Sequence, residues 1–201
     1  MLRVGHQLFG SLRREYEKAM MPLGKAVGSL GISPNALSIL SALIGVASAL
    51  LYFRGTPLLA AAILLVSAFV DMLDGAVARA TNTASRFGAV LDHVLDRYVE
   101  YFIVIGIVAG GFADWFWGLF ALIGMLMASY SRAAAESVGG LSSCTVGLAE
   151  RQEKLLLILA GSVLIPVLPL ALGYSMIIIG LLSHITVGQR LFYTRQRARD
   201  L

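Results

Sequence analysis

Four aspartates between residues 71 and 96 have the clearest capacity for chemistry in this chain. Asp71 and Asp74 are three residues apart, and Asp92 and Asp96 are four apart, so each pair lies on one face of a helix. The surrounding sequence is mostly apolar, and a carboxylate in hydrocarbon costs several kcal/mol. Four carboxylates within one short, apolar stretch therefore predict a functional site.

A polar segment at residues 81–86 separates the two aspartate pairs and predicts a tight connection between two helices. If the helices fold back there, Asp71 lies level with Asp96, and Asp74 lies level with Asp92. The four carboxylates then form one ring, roughly 15 Å from the bend. Because such charges repel one another, and because the set contains oxygen ligands without His or Cys, the ring predicts two hard divalent ions, Mg²⁺ or Mn²⁺.

Small residues lie close to the ring on the side of the bend. Gly75, Ala78 and Gly88 each lie about one helical turn from an aspartate and predict a slot, although small residues are also common where membrane helices pack. Arg79 adds a cation whose planar guanidinium suits phosphate. Metal ions, an arginine and a slot together favour a diphosphate ligand. Asp96 lies farthest from the bend and is the candidate base for an attacking hydroxyl.

The composition of the 201-residue chain is that of an integral membrane protein. Hydrophobic residues make up 58% of the sequence, charged residues only 14%, and the mean hydropathy is +0.80. The net charge of +4 alone could favour nucleic acid. However, the basic residues lie at the ends of apolar runs, as in membrane proteins, so nucleic acid is not expected as a partner. Cys144 is the only cysteine, which excludes a disulfide framework and a thiolate metal site.

The apolar runs predict an all-α integral membrane fold with six transmembrane helices and an N-terminal amphipathic juxtamembrane helix. Residues 1–31 are expected to form that interfacial helix, residues 32–194 the catalytic domain, and residues 195–201 a basic cytoplasmic tail. Ser33 and Pro34 suit the N-cap and first position of the first span. The predicted spans cover approximately residues 34–53, 58–80, 87–110, 115–136, 151–170 and 174–193.

The distribution of basic residues predicts the orientation in the membrane. Of 16 Lys and Arg, only Arg54 falls on the side opposite the termini. The positive-inside rule then places both termini in the cytoplasm of a multi-pass cell-membrane protein. The connection at residues 81–86 faces the same side. The aspartate ring is therefore expected to open to the cytoplasm through a wet cavity.

The full pattern resembles the signature of the CDP-alcohol phosphotransferases, and every fixed position matches: Asp71-x2-Asp74-Gly75-x2-Ala78-Arg79-x8-Gly88-x3-Asp92-x3-Asp96. The resemblance implies transfer of a substituted phosphate from a CDP-linked alcohol to an acceptor hydroxyl, with release of CMP. It also implies that Asp71, Asp74 and Asp92 bind metal, and that Asp96 binds one metal and is the catalytic base. Residues implied to contact the CDP group are Pro34, Asn35, Ala36, Leu37, Gly75, Arg79 and Ser85, and the slot residues Ala78 and Gly88 complete the set.

Three arginines at the cytoplasmic ends of the last three predicted helices bear on the acceptor. Arg132, Arg151 and Arg190 would form a site for an anion such as a sugar or polyol phosphate. Positive-inside anchoring is the alternative role for each of them.

The segments around these arginines resemble those of phosphatidylinositol-phosphate synthases and their archaetidylinositol-phosphate relatives. One departure is Ala134, where those enzymes often carry a second basic residue. The resemblance implies a CDP-linked lipid as donor and inositol 1-phosphate, or a similar phosphorylated polyol, as acceptor. The sequence leaves open whether the donor lipid is a diacylglycerol or an archaeal ether.

Several alternatives stay open at this point. Within the family these are glycerol 3-phosphate as acceptor and CDP-inositol as donor. Outside it, an intramembrane prenyltransferase also binds diphosphate through aspartates, but its motifs do not predict Arg79 and Gly88 at these spacings. A transporter or channel also carries acids at mid-depth, but not clustered in one hairpin. Family members are often homodimers, and Gly106 with Gly110 is a candidate dimer contact.

Overall fold

The computed structural model describes residues 20–148 and 150–197, and every regular element in these two ranges is a helix. Residues 20–29 are helical and are called α1. The others are α2 (Pro34–Phe53), α3 (Pro57–Ala80), α4 (Arg86–Ala109), α5 (Trp115–Ser137), α6 (Arg151–Leu164) and α7 (Ala171–Arg197). The predicted all-α class is confirmed. Most of the predicted interfacial helix, residues 1–19, and residues 198–201 of the predicted tail lie outside the described residues.

Four of these helices, α2, α3, α5 and α7, are long and apolar enough to cross a membrane. The protein is therefore a multi-pass membrane protein. α4 is as long as α3, with 24 residues, but it is less apolar. Its charged residues are Arg86, Asp92, Asp96, Arg97 and Glu100.

α6 is shorter than the span predicted over residues 151–170, because it ends at Leu164. Its 14 residues reach about 21 Å, whereas the hydrocarbon layer is about 30 Å thick. Pro166, two residues after Leu164, ends the helix, since a proline lacks an N–H and its ring clashes with the preceding turn. The chain continues in turns, in which the N–H groups of Val167 and Leu168 donate to the Leu164 carbonyl at 3.0 and 2.8 Å.

The described residues divide into two compact units. The first comprises residues 20–46 and 63–99, and the second comprises residues 47–62 and those from 100 onward. Met20, Leu37, Leu73, Ala76 and Val77 form the apolar core of the first unit. α1 approaches α3 closely at Gly24, where an added Cβ would lie 2.6 Å from the Ala76 carbonyl oxygen.

The second unit is built around α5 and α7, with α6 packed against α7. The hydroxyls of Tyr52 and Ser162, both buried, lie 2.7 Å apart and join the end of α2 to α6. Gly106 and Gly110 pack against the end of α2 in the same chain. A Cβ at either position would collide with a backbone carbonyl oxygen, that of Ala49 or of Tyr52. The glycine pair proposed as a dimer contact therefore serves helix packing within one chain.

Candidate active site

The connection between α3 and α4 is as tight as predicted. It spans residues 81–85 and begins where Thr81 N and Thr83 N donate to the carbonyls of the last turn of α3. Asn82 adopts a φ of 54°, a left-handed conformation that Asn tolerates better than most residues. Ser85 caps α4 by accepting from Gly88 N at 2.9 Å. Asn82 and Ser85 thus each stabilise the conformation of this connection.

This hairpin brings the aspartates together. Asp71, Asp74 and Asp92 each present a carboxylate oxygen within 4.8 Å of the other two. Asp96 forms a second group of the same size with Asp92 and His93, so Asp92 belongs to both groups. Asp74 and Asp92 are thus brought together as predicted, but neither group joins Asp71 with Asp96, so the predicted single ring is divided into two groups that share Asp92.

The geometry of the three grouped carboxylates fits a divalent cation. Two oxygens bound to one Mg²⁺ at about 2.0–2.1 Å lie at most about 4.2 Å apart. The three carboxylates lie within 4.8 Å of one another, so small side-chain adjustments are enough for them to share one ion. The donors are hard oxygens, as Mg²⁺ and Mn²⁺ prefer. The residues present therefore suit the predicted ions.

Asp96 is the most buried of the four acids, with 6% of its surface exposed. The Arg97 guanidinium lies 3.9 Å from its Oδ2, a neighbour that the sequence analysis did not single out. The His93 side chain is 81% exposed, and its Nδ1 lies 4.0 Å from Asp92 Oδ2.

Two serines of α2 also contact the aspartates and were missed in the sequence. Ser38 Oγ donates to Asp74 Oδ2, and Ser41 Oγ lies 3.4 Å from Asp71 Oδ1. Both serines are buried. The available signal was their spacing, because positions three apart in an apolar helix share a face.

The predicted slot residues fall into two neighbouring sets. A Cβ on Gly75 would lie 3.2 Å from Arg79 Nη1, so the guanidinium lies directly over this glycine. A Cβ on Gly88 would lie 3.0 Å from Asn35 Oδ1 and 3.1 Å from Ser85 Oγ. The absence of side chains at the two glycines leaves these polar groups room beside the helix backbone.

The start of α2 supplies the remaining predicted CDP contacts. Ser33 caps the helix as expected, with its Oγ accepting from Ala36 N at 3.2 Å, and Pro34 is the first helical residue. Leu37 lies in the core of the first unit, so any ligand contact there would come from its backbone. Ala78 is half-buried, and its carbonyl accepts from Thr83 N at 3.0 Å.

The second unit holds the three arginines, and the described contacts of two of them are structural. Arg132 Nε lies 3.1 Å from Glu136 Oε1, which also accepts from Cys144 N at 2.9 Å. Arg190 is only 5% exposed, and its Nε donates to the Val146 carbonyl at 2.8 Å. Its Nη1 donates to the carbonyl of Ala128 in α5. Arg190 thus fixes the loop before α6 against α5 and α7.

Arg151 is the first residue of α6, where the helix dipole favours anions and the Glu150 side chain already accepts from the backbone N–H of Glu153. Glu153 Oε2 accepts from Glu150 N at 2.9 Å and closes this end of the helix. Lys154, one turn after Arg151, is 4% exposed. Lys154 was not predicted from the sequence, although two basic residues three positions apart in an apolar helix were an available signal.

The chain is similar to known proteins along most of its length. The sequence profile of the family described as CDP-alcohol phosphatidyltransferase matches residues 31–188. An archaetidylinositol phosphate synthase from Pyrococcus horikoshii is 36% identical over 190 residues, with 94% of this chain and 98% of that protein covered. Another from Methanothermobacter thermautotrophicus is 39% identical over 171 residues, with coverage of 85% and 87%.

A solved structure is also similar. The phosphatidylinositol phosphate synthase of Mycobacterium tuberculosis, crystallised with CDP-DAG bound, superposes with a TM-score of 0.79 at 30% identity. The match covers 88% of this chain and 94% of that chain. A second crystal structure of that protein is a complex with manganese and citrate, with the same TM-score and identity and coverage of 87% and 88%. The prenyltransferase and transporter alternatives find no support in these similarities.

Proposed function

The chain belongs to the CDP-alcohol phosphatidyltransferase family and is an enzyme, and from this premise we propose its substrates and the roles of its residues. It transfers a phosphatidyl-type group from a CDP-linked lipid to inositol 1-phosphate and releases CMP. The observation that carries the proposal is the group of three carboxylates, Asp71, Asp74 and Asp92, beside Arg79 in a membrane hairpin. The names of the similar synthases support the acceptor.

The aspartates of the hairpin hold two divalent ions, Mg²⁺ or Mn²⁺. Asp71, Asp74 and Asp92 are ligands, and Asp96 joins them through the group that it shares with Asp92. Bound ions polarise the diphosphate oxygens and neutralise the leaving CMP. The mycobacterial synthase was crystallised in complex with manganese, which supports the use of a divalent ion.

The CDP group binds along the start of α2, the end of α3 and the start of α4. Arg79, which lies over Gly75, pairs with a phosphate through its planar guanidinium. Asn35 and Ser85 present polar atoms beside Gly88, which has no side chain to displace them. Pro34, Ala36, Leu37 and Ala78 complete the proposed set of contacts. Such an arrangement suits recognition of a nucleotide by small polar groups.

Asp96 acts as the base. It accepts the proton of the acceptor hydroxyl while the hydroxyl oxygen forms a bond to the lipid-bearing phosphorus. The bond from that phosphorus to the bridging oxygen breaks, and this oxygen leaves with CMP. Burial keeps Asp96 from bulk water, which favours transfer to the bound alcohol over hydrolysis.

The acceptor phosphate binds to Arg132, Arg151 and Arg190. Arg151 contributes its charge together with the N-terminus of α6. Arg190 is buried and held by two carbonyls, so its charge is fixed in position before the anion arrives. Preorganised cations of this kind bind a phosphate with little loss of side-chain entropy.

In the membrane, six segments cross the bilayer, and the fifth is α6 together with the turns that follow it up to residue 170. An N-terminal amphipathic helix over residues 1–31 lies at the interface, and residues 195–201 form a basic tail. Both termini and the site face the cytoplasm, and the enzyme works as a homodimer. Four helices that meet the length and composition of membrane spans support a multi-pass protein. The concentration of basic residues on the side of the termini supports the cytoplasmic orientation.

The test is an acceptor comparison with purified enzyme. CMP release from a labelled CDP-linked lipid would be measured with inositol 1-phosphate, with glycerol 3-phosphate and with buffer, using both a diacyl and an archaeal ether donor. We expect the largest release with inositol 1-phosphate, and none above buffer for the Asp96→Asn variant. Equal release with inositol 1-phosphate and with buffer would overturn the acceptor assignment.

A further inference from the structure

Serines occupy the face of α2 that meets the aspartates of α3. Ser38 and Ser41 are each 4% exposed, in a helix that is otherwise almost entirely apolar. A hydroxyl in such surroundings needs a hydrogen-bond partner, because burying one without a partner costs free energy. The partners of these two hydroxyls include the carboxylates of Asp74 and Asp71.

Each serine hydroxyl has one proton to donate, so its other possible acceptors decide how strongly it binds the neighbouring aspartate. Ser38 Oγ can donate to Asp74 Oδ2 or to the Pro34 carbonyl at 3.2 Å, and the charged and closer carboxylate is the stronger acceptor. Ser41 Oγ lies 2.8 Å from the Ser38 carbonyl but 3.4 Å from Asp71 Oδ1. Ser38 therefore makes the main contact with the acids, and Ser41 a weaker one.

We infer that Ser38 is a positioning residue for the metal ligands, acting through Asp74. With Oδ2 bound to the Ser38 hydroxyl, the carboxylate of Asp74 is fixed in rotation and keeps its remaining lone pairs for a cation. The same bond stabilises its negative charge, which lies within 4.8 Å of oxygens of Asp71 and Asp92. Groups that orient a ligand in this way change metal affinity by about 10- to 100-fold when removed.

The backbone of α2 is itself anchored where it carries this serine. Ser67 Oγ in α3 donates to the Ser41 carbonyl at 2.8 Å, which ties the two helices together one turn from Ser38. The position of the Ser38 hydroxyl relative to Asp74 is thus set by contacts on both helices. This inference rests on the proposed function only in that Asp74 is taken as a metal ligand.

The experiment measures Mn²⁺ binding to the full-length protein in detergent without substrate, by electron paramagnetic resonance of free Mn²⁺. For Ser38→Ala we expect the dissociation constant to rise about 10-fold or more. Ser48→Ala is the matched control, because Ser48 is also buried in α2 but donates to the Ala60 carbonyl at 2.7 Å. The control should bind Mn²⁺ like the parent protein.

A second pair of variants separates the hydroxyl from packing. Ser38→Thr and Ser38→Val have nearly the same volume, and only the threonine can donate to Asp74. We expect the threonine variant to bind Mn²⁺ at least fivefold more tightly than the valine variant. Equal affinities in this pair, or equal weakening in Ser48→Ala and Ser38→Ala, would overturn the inference.

Failure of the proposed function gives a different result. If Asp74→Ala abolishes Mn²⁺ binding and the serine variants behave as expected, the positioning role stands even when no acceptor releases CMP. If the parent protein releases CMP but the Ser38 variants bind Mn²⁺ normally, the enzymatic proposal stands and the positioning role does not.

Discussion

The three grouped aspartates of the first unit and the arginines of the second unit differ in how their side chains are held in place. Asp71, Asp74 and Asp92 come from two consecutive helices, and helical spacing with one tight turn is enough to bring their oxygens within 4.8 Å. Arg190, in contrast, fixes a loop by donating to carbonyls 44 and 62 residues away along the chain. Substitution of the acids should therefore disturb packing only slightly, whereas substitution of Arg190 should disturb it strongly.

The largest effect should follow loss of a metal ligand. Asp74→Asn keeps the size of the side chain but removes the charge that a divalent ion needs, so kcat/KM should fall by more than about 100-fold, beyond the loss seen for groups that only orient ligands. CMP release and Mn²⁺ binding would both be measured. Asp114→Asn is the control, because Asp114 caps α5 through Phe116 N and asparagine caps equally well. A variant of Asp74 with near-normal activity would contradict the metal assignment.

The contrast between the two arginine environments predicts the next effect. Arg190→Ala leaves buried carbonyls without a charged donor and should lower the free energy of unfolding by about 2–3 kcal/mol. Arg132→Ala removes a partly exposed pair with Glu136 and should cost less than about 1 kcal/mol. Both should raise KM for inositol 1-phosphate. Thermal unfolding in detergent measures the loss of stability in each variant, and acceptor kinetics measure the change in KM. Equal losses of stability in Arg190→Ala and Arg132→Ala would contradict the proposed difference between the two arginines.

A smaller effect is expected in the slot of the first unit. Gly88→Ala places a methyl group 3.0 Å from Asn35 Oδ1 and 3.1 Å from Ser85 Oγ, so these groups must shift away from the nucleotide. We expect KM for the CDP-linked lipid to rise about 10-fold, the usual scale for one misplaced methyl in a binding site, with KM for inositol 1-phosphate unchanged. Gly188→Ala is the control, because a Cβ there meets nothing within 4 Å. A change in the KM for inositol 1-phosphate alone would contradict the assignment of Gly88 to the CDP site.

The smallest effect should come from Glu136→Gln. The amide oxygen still accepts from Cys144 N and so keeps the loop in place, while the charge opposite Arg132 is lost. Since exposed ion pairs contribute little, KM for inositol 1-phosphate should change by no more than about threefold. Glu136→Ala, which also loses the loop contact, should have a larger effect. If the two variants behave alike, the loop contact contributes nothing.

Sequence patterns predicted the bounds of α2 to α5 more accurately than those of α6 and α7. The bounds of the first four came within a residue of those observed, since the Ser33 cap and the polar turn of the acid hairpin have local causes. α7 begins three residues earlier and ends four residues later than predicted. The end of α6 was wrong by six residues, because Pro166 could bend a helix or end it, and only the surrounding packing selects between these. Gly106 and Gly110 could equally serve contacts between chains or within one, and the structure shows contacts within one.

The sequence by itself determined the class of fold, the membrane character and the acids with their spacing, because these follow from hydropathy and from the 3.6-residue helical repeat. Tertiary structure decided which groups orient those acids and which cations are committed to backbone carbonyls. Ser38 meets Asp74 across 36 residues and Arg190 meets Ala128 across 62, and no local pattern encodes contacts between residues so far apart. Such pairings depend on how whole helices pack, and packing is fixed by the sum of many weak contacts along each helix.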